Sequence, residues 1–453
     1  MRRRKADPLE SPGRPAASRR EIWGWVLYDF ADSPFATTIL AVIFNRYFVE
    51  ALAGGEEGVL LDVFGASIRV PGVTFFTYTL AASMLIVAVL APLLGAIADS
   101  TGSKKKFLAF FCYLGAGATA LLYFVHEGQY WRGAIFFVVA QVGFAAAIVF
   151  YNAFLPEIST PRNIGWISGL GFTLGYLGGA LLLAINLAML RYPQLLGFDT
   201  PFTPRDTFLT VAVWWAVLAI PTFLWVRERR PAVPIPAGVS YWAAGTRRLR
   251  HTFRNIRRYR ELSKFLAAFL IYNDGIQTVI VVAAIFIEQV LGMSEGAIVG
   301  LFLMIQGTAF VGALLLGAIS DRLGNKRTVV LTLVAWTAVA VWGYFIGFTG
   351  DPAREVWLMG VLVGLILGGS QSASRALQGT FTPRENAAEF FAFYGIVGKF
   401  SSVLGPLVYG SVYALLGIRG AILSLAVFFV VGLLVLLTVD EAEGRRQAEV
   451  PVT

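Results

Sequence analysis

Gly95-Ala-Ile-Ala-Asp99-Ser-Thr-Gly102-Ser-Lys104-Lys105 and Gly317-Ala-Ile-Ser-Asp321-Arg-Leu-Gly324-Asn-Lys326-Arg327 are one motif written twice, at an offset of 222. Each copy closes one long apolar run and leads into the next. Working outward, Phe154, Pro156, Gly171 and Gly178 recur as Phe381, Pro383, Gly398 and Gly405 at an offset of 227, and Tyr28-Asp29 is answered by Tyr272-Asn273 at 244. The three matches sit at equivalent points of two halves. A parallel repeat of this kind, with both motif copies on one side of a membrane, implies halves related by an axis along the membrane normal.

Composition agrees with a membrane setting. The chain is 57% hydrophobic with a mean hydropathy of +0.68, and 14% of its residues are charged, against roughly 25% in soluble chains. A bilayer-crossing helix needs about 20 apolar residues. Runs that qualify lie near 25–47, 73–96, 107–126, 133–154, 166–190, 207–226, 263–288, 296–319, 328–348, 356–378, 389–415 and 418–438. With the N-terminus inside, 29 of the 37 Lys and Arg fall on the inner side and 7 on the outer, Lys399 lying within a run. That bias predicts an inner-membrane protein with both termini cytoplasmic. It also accounts for the +9 charge through anionic headgroups, without nucleic acid.

The expected organisation is a basic cytoplasmic tail (1–22), a six-helix half (23–227), a cytoplasmic linker (228–262), a second six-helix half (263–440) and a tail (441–453). The opening Met1-Arg2-Arg3-Arg4-Lys5 has no apolar core after it, so it reads as retained tail rather than signal peptide. In the linker, Leu249, Phe253 and Ile256 recur at helical spacing among Arg247, Arg248, Arg250, Arg254, Arg257 and Arg258. This predicts a helix lying on the inner leaflet, against a plain solvated linker.

Several function classes drop out. Cys112 is the single cysteine and His126 and His251 the two histidines, too few for the usual zinc ligand sets. No phosphate-binding loop is present, so ATP does not act on this chain directly, and no cofactor is expected. No nucleophile–base constellation stands out inside the runs, so no catalytic residue is assigned. No arginine lies between Arg132 and Arg162 in the fourth run.

The residues with chemistry are few. In the repeated motif, Gly95 and Gly317 allow close helix approach, and Gly102 and Gly324 permit a tight turn. Asp99 and Asp321 are placed to accept hydrogen bonds from a helix N-terminus, where the dipole favours an anion. Lys104, Arg322 and Lys326 hold the loops on the inner face. Ionisable groups inside runs cost roughly 2.5–3.5 kcal/mol each on insertion scales, so they should face a cavity or one another. Asp29 and Asp32 share a face of the first run. Asp274 and Gln277 share a face of the seventh, with Asn273 beside Gln277. Lys399 lies ~14 Å into the eleventh run, near the midplane, and Arg375 is shallower, within snorkelling reach of the inner surface. Tyr28, Tyr272 and Asn152 complete the candidate binding set, with Gln141, Asn186, Gln371 and Ser374 as weaker members that interhelical hydrogen bonds alone would explain. For Asp32, Asp274 and Lys399 the alternative to a binding role is a permanent ion pair that locks helices.

The repeated motif resembles the cytoplasmic signature of the major facilitator superfamily, with Ser100 where that signature has a basic residue and Arg322 keeping it. Trp25-Val-Leu-Tyr28-Asp29-Phe30-Ala31-Asp32-Ser33, Tyr272-Asn273-Asp274-Gly275-Ile276-Gln277-Thr278, and Glu389-Phe390-Phe391 through Gly398-Lys399 and Gly405-Pro406 resemble the autophagy-related vacuolar effluxer branch and its bacterial relatives across nearly the whole chain. Asp32 stands where that branch has Asn. The resemblance implies an all-α, twelve-helix facilitator fold, a latch stabilising one state of alternating access, and helices 1, 7 and 11 bordering a central cavity. It also implies amino-acid efflux, the activity associated with the fungal branch. The resulting expectation is a monomeric, proton-coupled secondary transporter of an amino acid or related zwitterion, held between Lys399 and an aspartate, with Asp32 or Asp274 carrying the proton. An uncoupled facilitator and a lipid or lysolipid flippase remain the alternatives.

Overall fold

The computed structural model describes residues 17–229 and 259–449, apart from 56, 64–65, 197–200, 294, 349 and 402–403, together with 243, 246, 247 and 250. The amphipathic helix expected in the linker and the start of the basic tail lie outside the described residues. Twelve helices are long and apolar enough to cross a membrane. They are α1 (Arg19–Leu52), α2 (Thr74–Thr101), α3 (Lys104–Phe124), α4 (Tyr130–Ile158), α5 (Ile164–Arg191), α6 (Pro204–Trp225), α7 (Arg260–Ala283), α8 (Gly300–Leu323), α9 (Asn325–Phe345), α10 (Pro352–Phe381), α11 (Arg384–Tyr413) and α12 (Leu415–Leu437). A terminal helix α13 (Glu441–Glu449) follows. Each half has its own apolar core, one around Trp25, Phe44, Phe137 and Trp215, the other around Phe265, Trp336 and Phe429.

Local chemistry shapes α1. Ser18 and Glu21 form a reciprocal capping box at its start, satisfying two of the N–H groups a helix leaves orphaned. Pro34 has no N–H to give to the carbonyl of Phe30. That carbonyl instead accepts from Trp214 Nε1 of α6 at 3.1 Å, and the helix passes into a π-helical stretch, Phe35–Val42.

Two features depart from the sequence expectation. Between α1 and α2 a hairpin pairs β1 (Val59–Val63) with β2 (Ala66–Val70), in a stretch too short for a run of about 20 residues to register. The eleventh run is interrupted: it is helical over Ala387–Phe400 and resumes at Leu404. The N–H groups of Leu404 and Gly405 at the restart donate to the two carboxylate oxygens of Asp274, at 3.0 and 2.8 Å. The acid of α7 therefore caps the broken helix, with both of its oxygens committed to backbone.

The halves meet most closely at the end of the bundle that carries the repeated motifs, here called the basic face. There α5 and α8 pass backbone against backbone. A Cβ at Gly169 would lie 2.5 Å from the carbonyl oxygen of Ala313, and one at Gly165 would lie 2.8 Å from that of Gly317. On the other side of the bundle α2 approaches α11, where a Cβ at Gly95 would meet the backbone of Ala388 at 2.8 Å. Glycine is what allows both approaches.

Candidate functional site

The two motif copies make reciprocal contacts across the halves. Asp99, ending α2, accepts from the N–H of Ala388 (3.2 Å) and Glu389 (3.0 Å) at the start of the α11 helix. Asp321, ending α8, accepts from the N–H of Gly165 (2.8 Å) and Trp166 (2.9 Å) at the start of α5. Both are carboxylates on helix N-termini, where unsatisfied donors and the helix dipole favour an anion. Gly102 and Gly324, with φ of 59° and 95°, make the turns that follow.

Lys104 is not a surface residue holding the loop to the inner face. It is 3% exposed, and its Nζ sits 3.2 Å from Asp99 and 2.6 Å from Glu157 at the end of α4. A buried ammonium needs such partners. Glu228, just beyond α6, closes the cluster by accepting from the backbone N–H of Lys104. Burial holds the Glu228 carboxyl above its ordinary range, opposed by the backbone N–H groups of Lys104 and Lys105 and the charge of Lys104. The second half repeats the device with Glu441 of α13, which accepts from the N–H of Asn325 (3.2 Å) and Lys326 (3.1 Å). Lys326 Nζ donates to the carbonyl of Leu437 at 2.9 Å. Arg322 is exposed.

Arg375 of α10 is also placed differently from the expectation. It is 3% exposed and bound into the first half rather than snorkelling. Nη1 donates to Asp29 (3.0 Å) and Asn152 (3.4 Å), Nε to Ser168 Oγ (3.0 Å) and Nη2 to the Ser168 carbonyl (2.7 Å). Phe172, Trp25 and Tyr151 surround the guanidinium, with ring centroids at 3.9, 5.1 and 5.7 Å. Tyr151 also donates to the same oxygen of Asp29 at 2.7 Å. A Cβ at Gly171 would fall 2.4 Å from that oxygen, so the cluster requires glycine there. Sequence reasoning did not find Ser168, Phe172, Trp25 or Tyr151 as partners. Trp25 stood in the quoted Trp25–Ser33 stretch, but nothing tied it to Arg375.

Deeper in, α5 and α10 stay joined by Tyr176 donating to Gln371 (2.6 Å), and α5 and α8 by Thr173 donating to the Phe310 carbonyl (3.2 Å). These hydrogen bonds between the halves lie within ~20 Å of the basic face, counted at 1.5 Å per helical residue.

Lys399 faces a cavity of about 110 Å³ between α2, α4 and α11, lined otherwise by apolar residues such as Met84, Val87, Val149 and Ile396, and by Asn152. Among the described residues its ammonium has no ion pair or hydrogen bond. The expected pairing of Lys399 with Asp32 or Asp274 is therefore not formed: Asp274 is committed to the restart of α11, and the intramembrane ion pair is Arg375–Asp29 instead. Asp32 is 3% exposed, and its carboxylate has no side-chain hydrogen bond or ion pair among the described residues. The Tyr28 hydroxyl is likewise buried without a partner. In the other half Tyr272 bonds Ser374 (2.7 Å) and Asn273 donates to Ser401. Gln277 is half-buried, with no hydrogen bond among the described residues. No group of three or more His, Cys, Asp or Glu among the described residues is arranged to hold a metal.

The chain matches the family described as Vacuole effluxer Atg22 like over residues 17–449. It belongs to that family. An uncharacterized MFS-type transporter, YxiO of Bacillus subtilis, is 32% identical over 420 residues, covering 92% of this chain and 94% of the relative. Autophagy-related protein 22 of Yarrowia lipolytica is 26% identical, covering 86% of this chain and 79% of the relative. Among solved structures, the human organic anion transporter MFSD10 superposes with a TM-score of 0.67 at 13% identity, covering 92% of this chain and 99% of that one. The Escherichia coli fucose:proton symporter FucP does so at 0.65 and 11%, covering 93% and 98%. The fold is thus the twelve-helix major facilitator fold, and this Atg22-like chain is an integral membrane transporter of that superfamily.

Proposed function

We propose that the protein is a secondary active transporter of a small carboxylate-bearing solute, an amino acid or related zwitterion, working by alternating access with proton coupling. The observation that carries this reading is Lys399, a cation without a partner facing a cavity of amino-acid scale. Lys399 is exposed beside that cavity, so a solute carboxylate can reach its ammonium and form a charge-assisted hydrogen bond there. On this reading the basic face is cytoplasmic, both termini lie there, and the state described is closed on that side by the Asp99 and Asp321 contacts. The units that rock are residues 23–227 and 263–440, and the monomer suffices. Asp32 is the better proton carrier of the two acids considered. It is buried with no side chain bonded to its carboxylate, and carrying a proton removes the cost of a buried charge, whereas both oxygens of Asp274 are taken by backbone N–H groups.

The test is uptake of a labelled amino-acid panel by proteoliposomes across a pH series, normalised to folded protein. Lys399→Ala should reduce uptake at least tenfold while leaving the melting temperature near wild type, because no bond is lost in the folded state. Asp32→Asn should flatten the pH profile while exchange persists. Wild-type uptake in Lys399→Ala removes the cavity reading. A wild-type protein whose uptake ignores pH is an uncoupled facilitator.

A further inference from the structure

We propose that Asp29 is a built-in stand-in for a solute carboxylate on Arg375, and that Arg375 and Asp29, once parted, form a receptor for the two opposite charges of a zwitterion. The inference rests on the transport reading and adds a second station to it, nearer the basic face than Lys399.

The partners of Arg375 carry the argument. Arg375 belongs to α10 of the second half. Asp29, Asn152 and both Ser168 oxygens that it binds belong to the first, as do the three rings around its guanidinium. Any motion that opens the basic face by separating the halves takes the arginine away from this whole set. A bare guanidinium and a bare carboxylate then remain, each in need of an opposite charge. A solute with a carboxylate and an ammonium supplies both.

The pairing itself is built to exchange. Arginine and carboxylate fit best as a two-pronged fork, two parallel N–H···O bonds. Here a single oxygen of Asp29 takes the contact, shared with the Tyr151 hydroxyl, and the other oxygen has no hydrogen bond among the described residues. Asp29 also keeps 14% of its side-chain surface accessible, against 3% for Arg375, so the acid is the member that an arriving solute can reach. Asn152 connects the two stations: it lines the Lys399 cavity and accepts from Arg375. A carboxylate leaving Lys399 therefore finds the guanidinium one side chain away, and Asp29, displaced from Arg375, faces the ammonium.

Chemical rescue tests this without knowing the solute. Asp29→Ala should lower the melting temperature, and acetate in the tens-of-millimolar range should restore several degrees of it, with chloride at equal ionic strength ineffective. The double variant Asp29→Ala/Arg375→Gln should not respond to acetate. Equal stabilisation of wild type, single and double variants by acetate overturns the proposal. If Asp29→Ala does not accumulate, Asp29→Asn keeps the side-chain volume. Its transport should then lose at least a tenfold preference for leucine over the corresponding des-amino acid, and retention of that preference overturns the proposal equally. The arms separate this idea from the cavity reading. Acetate rescue with Lys399-independent uptake leaves the Arg375 station and removes the outer one. Lys399-dependent uptake without rescue does the reverse.

Discussion

The two seams between the halves start from the same motif and end differently. On the α5–α8 side, Asp321 holds the start of α5, and contact then continues inward through Gly165 and Gly169, Ser168 with Arg375, Thr173 and Tyr176. On the α2–α11 side, Asp99 holds the start of the α11 helix and Gly95 packs against Ala388. Beyond that turn the seam widens into the Lys399 cavity. Glycine and hydrogen bonds make the first seam a continuous joint. The second is fastened at its end and hollow behind. In a rocking carrier both seams part at the basic face and the hollow one suits the solute's path. The fastener that must release there is the contact of Asp99 with Ala388 and Glu389, backed by Lys104 and Glu157 of the same half.

The largest effect that probes this contrast is at Arg375. Arg375→Met removes the cation but leaves Asp29 without its countercharge, and breaking a buried ion pair on one side costs about 3–5 kcal/mol. We expect a marked fall in melting temperature and loss of transport. The second substitution Asp29→Leu, which removes the stranded acid, should recover part of the stability but none of the transport. If Arg375→Met melts like wild type, the α5–α10 joint is not held by this cluster and the contrast between the seams weakens.

An intermediate effect comes from comparing the two latches directly. Asp99→Asn and Asp321→Asn each replace a charged acceptor at a helix start. Asp99 also neutralises the buried Lys104, which is then left with Glu157 alone. Asp321 has no such ion pair among the described residues, its two oxygens being taken by Gly165 and Trp166. Asp99→Asn should therefore slow transport about tenfold, as a change of ~1.4 kcal/mol does, with solute binding largely kept. Asp321→Asn should act by only a few-fold. Initial rates and binding measured in parallel on both variants decide it, and the reverse order would show that the fastener sits on the α5–α8 seam.

How much of this was written in the sequence depends on range. The repeat, the basic side and the two acids at helix ends follow from spacing alone, because the 222-residue offset repeats both the turn glycines and the acids. The ion pairing does not follow. Arg375 and Asp29 lie 346 positions apart, and the shallow depth of Arg375 in its run pointed to the membrane surface, not to a socket in the other half. Lys399 near the midplane invited a partner, but one of its two candidates, Asp274, is taken by the backbone of Leu404 and Gly405. That capping arises from the interruption of α11, which hydropathy averages over. Nothing in the sequence singles out Glu157 and Glu228, since acids at the ends of apolar runs are ordinarily surface groups. What buries them is Lys104, folded in between.

The smallest effect refines the fastener itself. Glu228 borders Lys104, and burial raises its carboxyl above the ordinary range. An acid whose pKa is higher in the folded than in the unfolded chain is stabilising when protonated relative to when charged. Its contribution is therefore most favourable at low pH and declines as pH rises from the unfolded value through the raised folded one. Glu228→Gln fixes the side chain in a neutral form whose carbonyl can still accept from the Lys104 N–H. The variant should match wild type at pH values below that window and exceed it above, by no more than ~2 °C in melting temperature, since the group is partly solvated and the screening is large. Glu441, which caps α9 in the second half without an adjoining buried lysine pair, offers the matched control. If Glu228→Gln is the less stable form above the window, the Lys104 ammonium outweighs burial at this site. The first-half fastener would then be a tighter charge cluster than the contrast between the seams requires.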